Sequence, residues 1–338
     1  MPKKKKLSQK QSRMTKKIQA SRVERVRKKA STLEQEISES ELGPEQEGRL
    51  ITNYGASVDV EDSNGIIHRC AYRQNLESLV SGDRVVWQPA HDERGVVTAV
   101  MERTSLLARP DFTGNKKPVA ANIDQMIIVS ASKPGLNEGL IDRYLLAAEN
   151  IHITPVILLN KVDLLDDRTL ADYKERLSDY IRIGYPVIYA STKREHGLDA
   201  LQKTLKEKTS ILVGRSGVGK SSLVNRILPD ANIKTGEVSE ATGKGQHTTS
   251  AARLYHLSCG GELIDSPGVR EFGLWNLSRD EATYGFIEFR QFIGKCKFSN
   301  CTHTHEPQCA IQEAIENEEI SPRRVDSYHR IIASLNST

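Results

Sequence analysis

A chain of 338 residues with a formal net charge of +4 is long enough for roughly two to three domains, each with a core of its own. It nowhere approaches the ~18 consecutive apolar residues of a spanning helix, and its basic N-terminus has no apolar run behind it, so no membrane span and no secretory signal are expected and the location reads as cytoplasmic. Five cysteines are too few for a disulfide framework, and three of them fall within residues 296–309 beside two histidines, a pattern that points to a metal in a reducing compartment.

The positive charge sits at one end. Residues 1–30 hold 13 Lys and Arg against Glu24 alone, which leaves a net −8 for the rest of the chain. Such a run either binds a polyanion, RNA above all, by releasing counterions, or stands as a solvated arm. Residues 1–44 are read as this disordered basic extension.

Between residues 45 and 108, short β-prone runs at 48–54, 66–72, 83–89 and 95–102 are separated by Gly, Asp, Asn and Ser. Strands of this length with turn signals at this spacing predict a small antiparallel β-barrel of the OB-fold type. Barrels of this kind bind RNA by stacking bases on aromatic side chains, for which Tyr54, Tyr72 and Trp87 are available here; the other reading is a structural spacer.

From residue 109 to 278 the rhythm changes to apolar strands at 125–130, 155–160, 186–190, 210–213 and 262–264, alternating with helical segments at 138–149, 168–180, 198–206 and 219–227. That alternation predicts an α/β layered domain on a mostly parallel sheet. Residues 279–338 become helical and charged around the Cys/His cluster, and are read as a C-terminal, mainly helical metal-binding domain.

The chemistry concentrates in a few motifs. Gly214-Arg215-Ser216-Gly217-Val218-Gly219-Lys220-Ser221 satisfies GxxxxGK[ST] between an apolar strand and a helix, the context a phosphate loop requires. Glycines let backbone N–H groups turn toward the phosphates, Lys220 brings charge to the β- and γ-phosphates, and the Ser221 hydroxyl is placed for Mg²⁺. Asn160-Lys161-Val162-Asp163 follows an apolar strand and matches NKxD. The Asp163 carboxylate can accept from guanine N1–H and the exocyclic amine, a donor pair that adenine lacks; this argues for GTP and GDP over ATP. Ser191 and Thr192, ahead of Lys193, occupy the place of a SAK-type loop whose backbone N–H meets the guanine carbonyl.

Asp265-Ser266-Pro267-Gly268 matches DxxG, with Asp265 near the metal and the Gly268 N–H on the γ-phosphate. The Gly- and Thr-rich residues 235–250 look like a first switch, in which Thr248 or Thr249 completes the Mg²⁺ shell. NKxD and the SAK-type loop precede the phosphate loop, so the motif order is circularly permuted. Val269 stands where many GTPases carry a water-orienting glutamine, and His247 is the candidate for positioning water in its place; the other reading is an ordinary switch residue. Cys296, Cys301, His303 and Cys309 form Cys-x4-Cys-x-His-x5-Cys, a closed set suited to one structural Zn²⁺, with His305 a competing ligand. Cys70 and Cys259 read as small core residues.

The rotated order, the barrel ahead of the core and the Cys/His segment behind it resemble the ribosome small-subunit-dependent GTPase family of the RsgA/YjeQ type. The resemblance covers about residues 45–338 and is carried by NKVD at 160–163, GRSGVGKSS from Gly214 to Ser222, GQHTT at 245–249, DSPGVREFGL at 265–274 and the zinc set. It implies OB-fold, permuted GTPase and zinc-binding domains, GTP hydrolysis stimulated by the small (30S) ribosomal subunit, contact with 16S rRNA, and a role late in that subunit's maturation. It also matches His247 to the family's proposed catalytic histidine. A monomer is expected. The alternative from the residues alone is a regulatory GTP-binding module that switches a protein partner; only the resemblance supplies the ribosome.

Overall fold

In the computed structural model, residues 42–73, 75–110, 116–229, 252–265 and 277–335 are described. They fall into two compact units, one of the residues up to Arg103 together with 252–254, the other of the remainder.

The first unit is a closed five-stranded barrel. Strands β1 (Gln46–Asn53), β2 (Val58–Glu61), β3 (Ile67–Tyr72), β4 (Arg84–Pro89) and β5 (Arg94–Val100) run in the order β1-β2-β3-β5-β4, and β4 pairs back onto β1. One strand serves both neighbours because β1 bends. Its first half pairs with β4 from Gln46↔Trp87 to Arg49↔Arg84, its second with β2 from Arg49↔Glu61 to Asn53↔Val58, across a register shift between Leu50 and Thr52. A bulge of this kind turns a strand through a barrel corner.

Leu50, Val58, Val60, Cys70, Leu79, Val85, Trp87 and Val97 fill the interior. Two glycines make room for the indole. A Cβ at Gly48 would lie 2.8 Å from Trp87 Nε1, and one at Gly95 2.6 Å from Trp87 Cε3. Trp87 is thus a core residue with no exposed surface, and it is removed from the aromatics read as stacking candidates. Tyr72 is half-buried with its hydroxyl donating to the Gly55 carbonyl. Tyr54 stays 40% exposed under the Arg69 guanidinium. Strand β2 went unread in the sequence because its four residues include two acids.

In the second unit, a hairpin of β6 (Leu106–Pro110) and β7 (Lys116–Ala121) leads into a parallel sheet. Its strands β8 (Gln125–Ala131), β9 (Thr154–Asn160), β10 (Val187–Tyr189), β11 (Thr209–Val213) and β13 (Glu262–Asp265) lie in the order β10-β9-β8-β11-β13. Strand β12 (Arg253–His256) begins in the first unit, with Arg253 opposite Thr52 of β1. Every residue of β8 is buried, as expected of a central parallel strand covered on both faces.

Helices α1 (Glu138–Asn150), α2 (Asp167–Ile183), α3 (Asp199–Leu205) and α4 (Lys220–Ile227) connect the strands, close to the expected bounds. Asn137 and Asp166 cap α1 and α2 by accepting from the Leu140 and Thr169 amides, and Gly184 ends α2 at φ 110°, the left-handed conformation that suits glycine. The chain then forms α5 (Arg279–Gly285), a 3₁₀ turn (Ile287–Phe292), α6 (Ala310–Glu316) and α7 (Pro322–Leu335). Their core of Phe286, Phe289, Ile311, Val325, Tyr328 and Ile331 includes Leu146 of α1. A Cβ on Gly285 would stand 2.0 Å from Leu146 Cδ1, so any side chain there would force Leu146 to move for α5 to lie this close to α1. Arg324, 1% exposed, joins the same elements: it donates to Asp142 of α1 at 2.5 Å and to Glu288 at 2.6 Å.

Candidate functional site

Chain order and strand order together locate the site. From β8 the chain moves outward through β9 to β10, then returns to β11 on the other side of β8 and on to β13. Loops at the carboxyl ends of β8 and β11 therefore diverge, and such a switch point opens a ligand crevice in parallel α/β sheets. The phosphate-loop residues follow β11, residues 160–163 close β9, Ser191 and Thr192 follow β10, and Asp265 ends β13. Every GTPase-type motif within the described residues thus falls at the carboxyl end of the sheet. His247, Thr248, Thr249 and Gly268 lie outside the described residues.

Hydrogen bonds join the loops into one assembly. Asn160, 1% exposed, donates from Nδ2 to the Val218 carbonyl at 2.9 Å. Lys161, at φ 61°, sends Nζ to the carbonyls of Gly217 at 2.6 Å and Lys133 at 3.2 Å. Its ammonium thereby bridges the loop after β8 and the phosphate loop. The Ser191 hydroxyl donates to Asp163 Oδ1 at 2.5 Å and accepts from the amides of Lys193 and Arg194. That bond fixes the orientation of the carboxylate. Thr192 is half-buried beside it.

The phosphate loop leaves β11 through Gly214 at φ 142°, where a Cβ would stand 2.2 Å from the Val129 carbonyl oxygen. Gly217 and Gly219 also take positive φ, and a Cβ at Gly219 would collide with Asn160 Nδ2 at 2.6 Å. Side chains are excluded at Gly214 and Gly219 because the Val129 carbonyl of β8 and the Asn160 amide at the end of β9 press against them. Val218 is buried, Arg215 and Ser216 are exposed, and Ser221 is half-buried in the first turn of α4 with Ser222 exposed behind it. Lys220 Nζ donates to the carbonyls of Gly214 and Arg215, the latter at 2.9 Å, so the ammonium lies within the curl of the loop. The sequence reading missed Ser132 and Lys133: Ser132 Oγ donates to the Lys161 carbonyl at 3.0 Å. Their one signal was position, directly after a largely apolar strand.

The sulfurs of Cys296, Cys301 and Cys309 and a ring nitrogen of His303 lie within 4.8 Å of one another. Cys296 Sγ and Cys309 Sγ are 3.9 Å apart and stand 3.6 and 3.5 Å from His303 Nδ1. Tetrahedral bonds of about 2.3 Å to sulfur and 2.0 Å to nitrogen give edges of roughly 3.8 and 3.5 Å, so the set fits one four-coordinate ion. His305 is exposed and stands outside the set. Burial lowers the His303 imidazole, with the Arg279 charge adding to it, which favours the neutral, ligating form. Cys70 is fully buried as expected, whereas Cys259 is only partly buried at the margin of the core.

A phosphate-type glycine loop at the switch point of a parallel sheet, reached only after the base-side motifs, defines a P-loop GTPase fold of circularly permuted order, here following a five-stranded barrel. The family model described as RsgA GTPase matches residues 100–275. Small ribosomal subunit biogenesis GTPase RsgA 1 of Vibrio vulnificus is 50% identical over 340 residues, covering 99% of this chain and 95% of its own. Its counterpart RsgA in Vibrio cholerae is 49% identical, covering 95% and 86%. Among solved structures, YjeQ from Thermotoga maritima aligns with a TM-score of 0.73 at 32% identity over 87% of this chain and all of its own. YloQ, a circularly permuted GTPase, gives 0.70 at 28% over 89% and 98%. The chain belongs to the RsgA GTPase family.

Proposed function

We propose that this chain binds the small ribosomal subunit during its biogenesis and hydrolyses GTP to GDP and phosphate there, with the subunit stimulating turnover. The observation that carries the reading is near-full-length identity of 50% to a small ribosomal subunit biogenesis GTPase, joined to a nucleotide crevice whose loops are already locked together. Contact with 16S rRNA, a monomeric state and a cytoplasmic location follow from the same reading. We keep the division into a basic extension (1–44), barrel (45–108), GTPase domain (109–278) and zinc-binding helices (279–338) as part of it.

In this site Asp163, aimed by Ser191, accepts from the guanine edge, while Lys161 lies along the base and Asn160 ties the base side to the phosphate side. The backbone from Gly214 to Gly219 wraps the phosphates, and Lys220 leaves its carbonyls for their oxygens. Ser221, with Thr248 or Thr249, would hold Mg²⁺, which when bound neutralises charge developing on the β- and γ-phosphates. Asp265 would stand near the ion, and the Gly268 N–H would meet the γ-phosphate. His247 positions the attacking water, since Val269 has no hydrogen-bonding group with which to do so. Zn²⁺ on Cys296, Cys301, His303 and Cys309 has no open position, so its role is structural.

GTP turnover by the protein alone, with small subunits and with large subunits tests the reading. Stimulation by the small subunit only, lost in His247→Ala with nucleotide binding retained and lost in Lys220→Ala, is the expected pattern. Equal stimulation by both particles, or by neither, overturns the ribosomal assignment and returns the chain to a GTP-binding module with a protein partner.

A further inference from the structure

Within the Cys/His set, His303 alone takes a left-handed backbone, at φ 62°. A residue with a Cβ is strained in that conformation and keeps it only where its surroundings fix it. The ligand whose placement costs most is therefore the one whose support matters most.

One carboxylate supplies most of that support. Glu306 Oε1 accepts from the Thr302 N–H at 2.7 Å and from the Thr302 hydroxyl, while Oε2 accepts from the N–H groups of Thr304 at 3.0 Å and His305 at 3.3 Å. It thus holds the backbone directly before His303 and directly after it. The His303 carbonyl accepts from Gln312 Nε2 of α6 at 2.7 Å, and the Cys301 carbonyl from Arg279 of α5 at 3.2 Å. With its peptide groups held on both sides, the imidazole brings Nδ1 to 3.6 and 3.5 Å from the sulfurs of Cys296 and Cys309. Glu306 stands outside the set of possible ligands, since both of its oxygens face donors of the loop.

We infer that Glu306 is a positioning residue for the metal: its carboxylate shapes the loop of residues 301–309 so that His303 meets the three cysteine sulfurs, and the affinity of the site depends on it. The inference rests on the reading of the Cys/His set as a zinc site. Groups that orient metal ligands govern affinity nearly as the ligands do. The chemistry calls for a carboxylate in particular. A glutamine could accept on one arm, but its NH₂ would face N–H groups on the other.

The test is Glu306→Gln in the full-length protein, with zinc affinity measured by competition against a chromogenic chelator and coordination read from the visible absorption of the cobalt(II)-substituted form. Zinc should bind about tenfold or more weakly, and the cobalt ligand-field bands should change as the imidazole withdraws, while the sulfur-to-cobalt charge-transfer band remains. Glu306→Asp, which keeps both acceptor oxygens, should recover most of the affinity. Thr302→Val, which removes one donor and leaves the backbone bonds, should lose less than Glu306→Gln. GDP affinity equal to the parent's in each variant separates lost positioning from failure to fold. The loss should persist at about 1 M salt, where a charge acting beyond ~3 Å is screened. A loss that fades with salt makes Glu306 no more than a nearby negative charge and overturns the inference. Parent-like zinc affinity and cobalt spectrum in Glu306→Gln overturn it alone, whereas a parent chain that takes up no zinc sinks the zinc reading beneath it.

Discussion

The side-chain amide of Asn160 and the carbonyl oxygen of Val218 form a buried hydrogen bond of 2.9 Å, which ties the carboxyl end of β9 to the middle of the phosphate loop. The two loops lie 58 residues apart in the chain, yet neither can shift without breaking that bond. Asn160→Ala leaves the Val218 carbonyl without this donor, and an unpaired buried acceptor costs about 1–3 kcal/mol. Guanine-nucleotide affinity should therefore fall by about five- to a hundredfold, measured by titration with a fluorescent GDP, while the circular dichroism spectrum stays unchanged. An unaltered dissociation constant would show that the loops are positioned independently.

Ser191 and Asp163 give a graded pair of predictions. Ser191→Ala removes the donor that orients Asp163 and should cost about 1 kcal/mol of guanine affinity, the worth of one hydrogen bond. Asp163→Asn exchanges an acceptor for a donor where guanine presents two donors, so GTP should lose at least about a hundredfold and XTP, with a carbonyl in place of the amine, should be preferred. Competition among GTP, XTP and ATP measures both. ATP competing as well as GTP in the parent protein contradicts the assignment of this loop to the base.

Gly48 tests the barrel core. An added Cβ would lie 2.5 Å from Val60 Cγ1 and 2.8 Å from Trp87 Nε1, so Gly48→Ala should destabilise the barrel by about 1–3 kcal/mol through overpacking. Urea unfolding followed by tryptophan fluorescence measures it, and nucleotide affinity should not change. Full stability in the variant would mean that the indole can yield, contrary to its complete burial.

The site was legible where chemistry demands a local word. Glycines at 214, 217 and 219, the NKxD tetrad and the Cys/His spacing each impose residue types on positions close together in the chain, and the structure brings together those within the described residues. The parallel sheet was legible because its buried strands are continuous apolar runs. What stayed hidden depends on contacts distant in sequence. Trp87 is an equally good stacking residue or core residue until Gly48 and Gly95 are seen beside it, and Lys133 joins the site through a backbone carbonyl that any residue would supply. Arg324 reads as one more charge on a charged helix, and only the fold brings Asp142 and Glu288 to it.

Metal removal should separate the two parts of the second unit. If the set binds one zinc, chelation under mild denaturant should release one equivalent per chain and expose Tyr328, which packs on Phe286, Phe289 and His303. Near-ultraviolet circular dichroism and zinc release should change together, since the ion's binding energy is also folding energy. Cys301→Ser should have the same effect without chelator, whereas His305→Ala should retain the metal, because His305 lies outside the cluster.

Arg324 makes the last case. Burial alone would depress its guanidinium, but Asp142 and Glu288 outweigh that effect and hold it above the usual value. Asp142 also accepts from the Tyr180 hydroxyl of α2 at 2.7 Å, so one charged group binds α7 to α1 directly and to α2 through a shared carboxylate. Arg324→Met keeps much of the volume, takes the arginine from Glu288 and leaves Asp142 with only the more distant Arg323 at 3.5 Å, both carboxylates being at most 8% exposed; breaking a buried pair in this way costs about 3–5 kcal/mol. Adding Asp142→Asn and Glu288→Gln should recover part of that loss, since it removes the uncompensated charges while preserving shape. Urea midpoints of the single and triple variants decide it. A triple variant no more stable than Arg324→Met alone would mean that the loss comes from packing of the arginine stem rather than from orphaned charge.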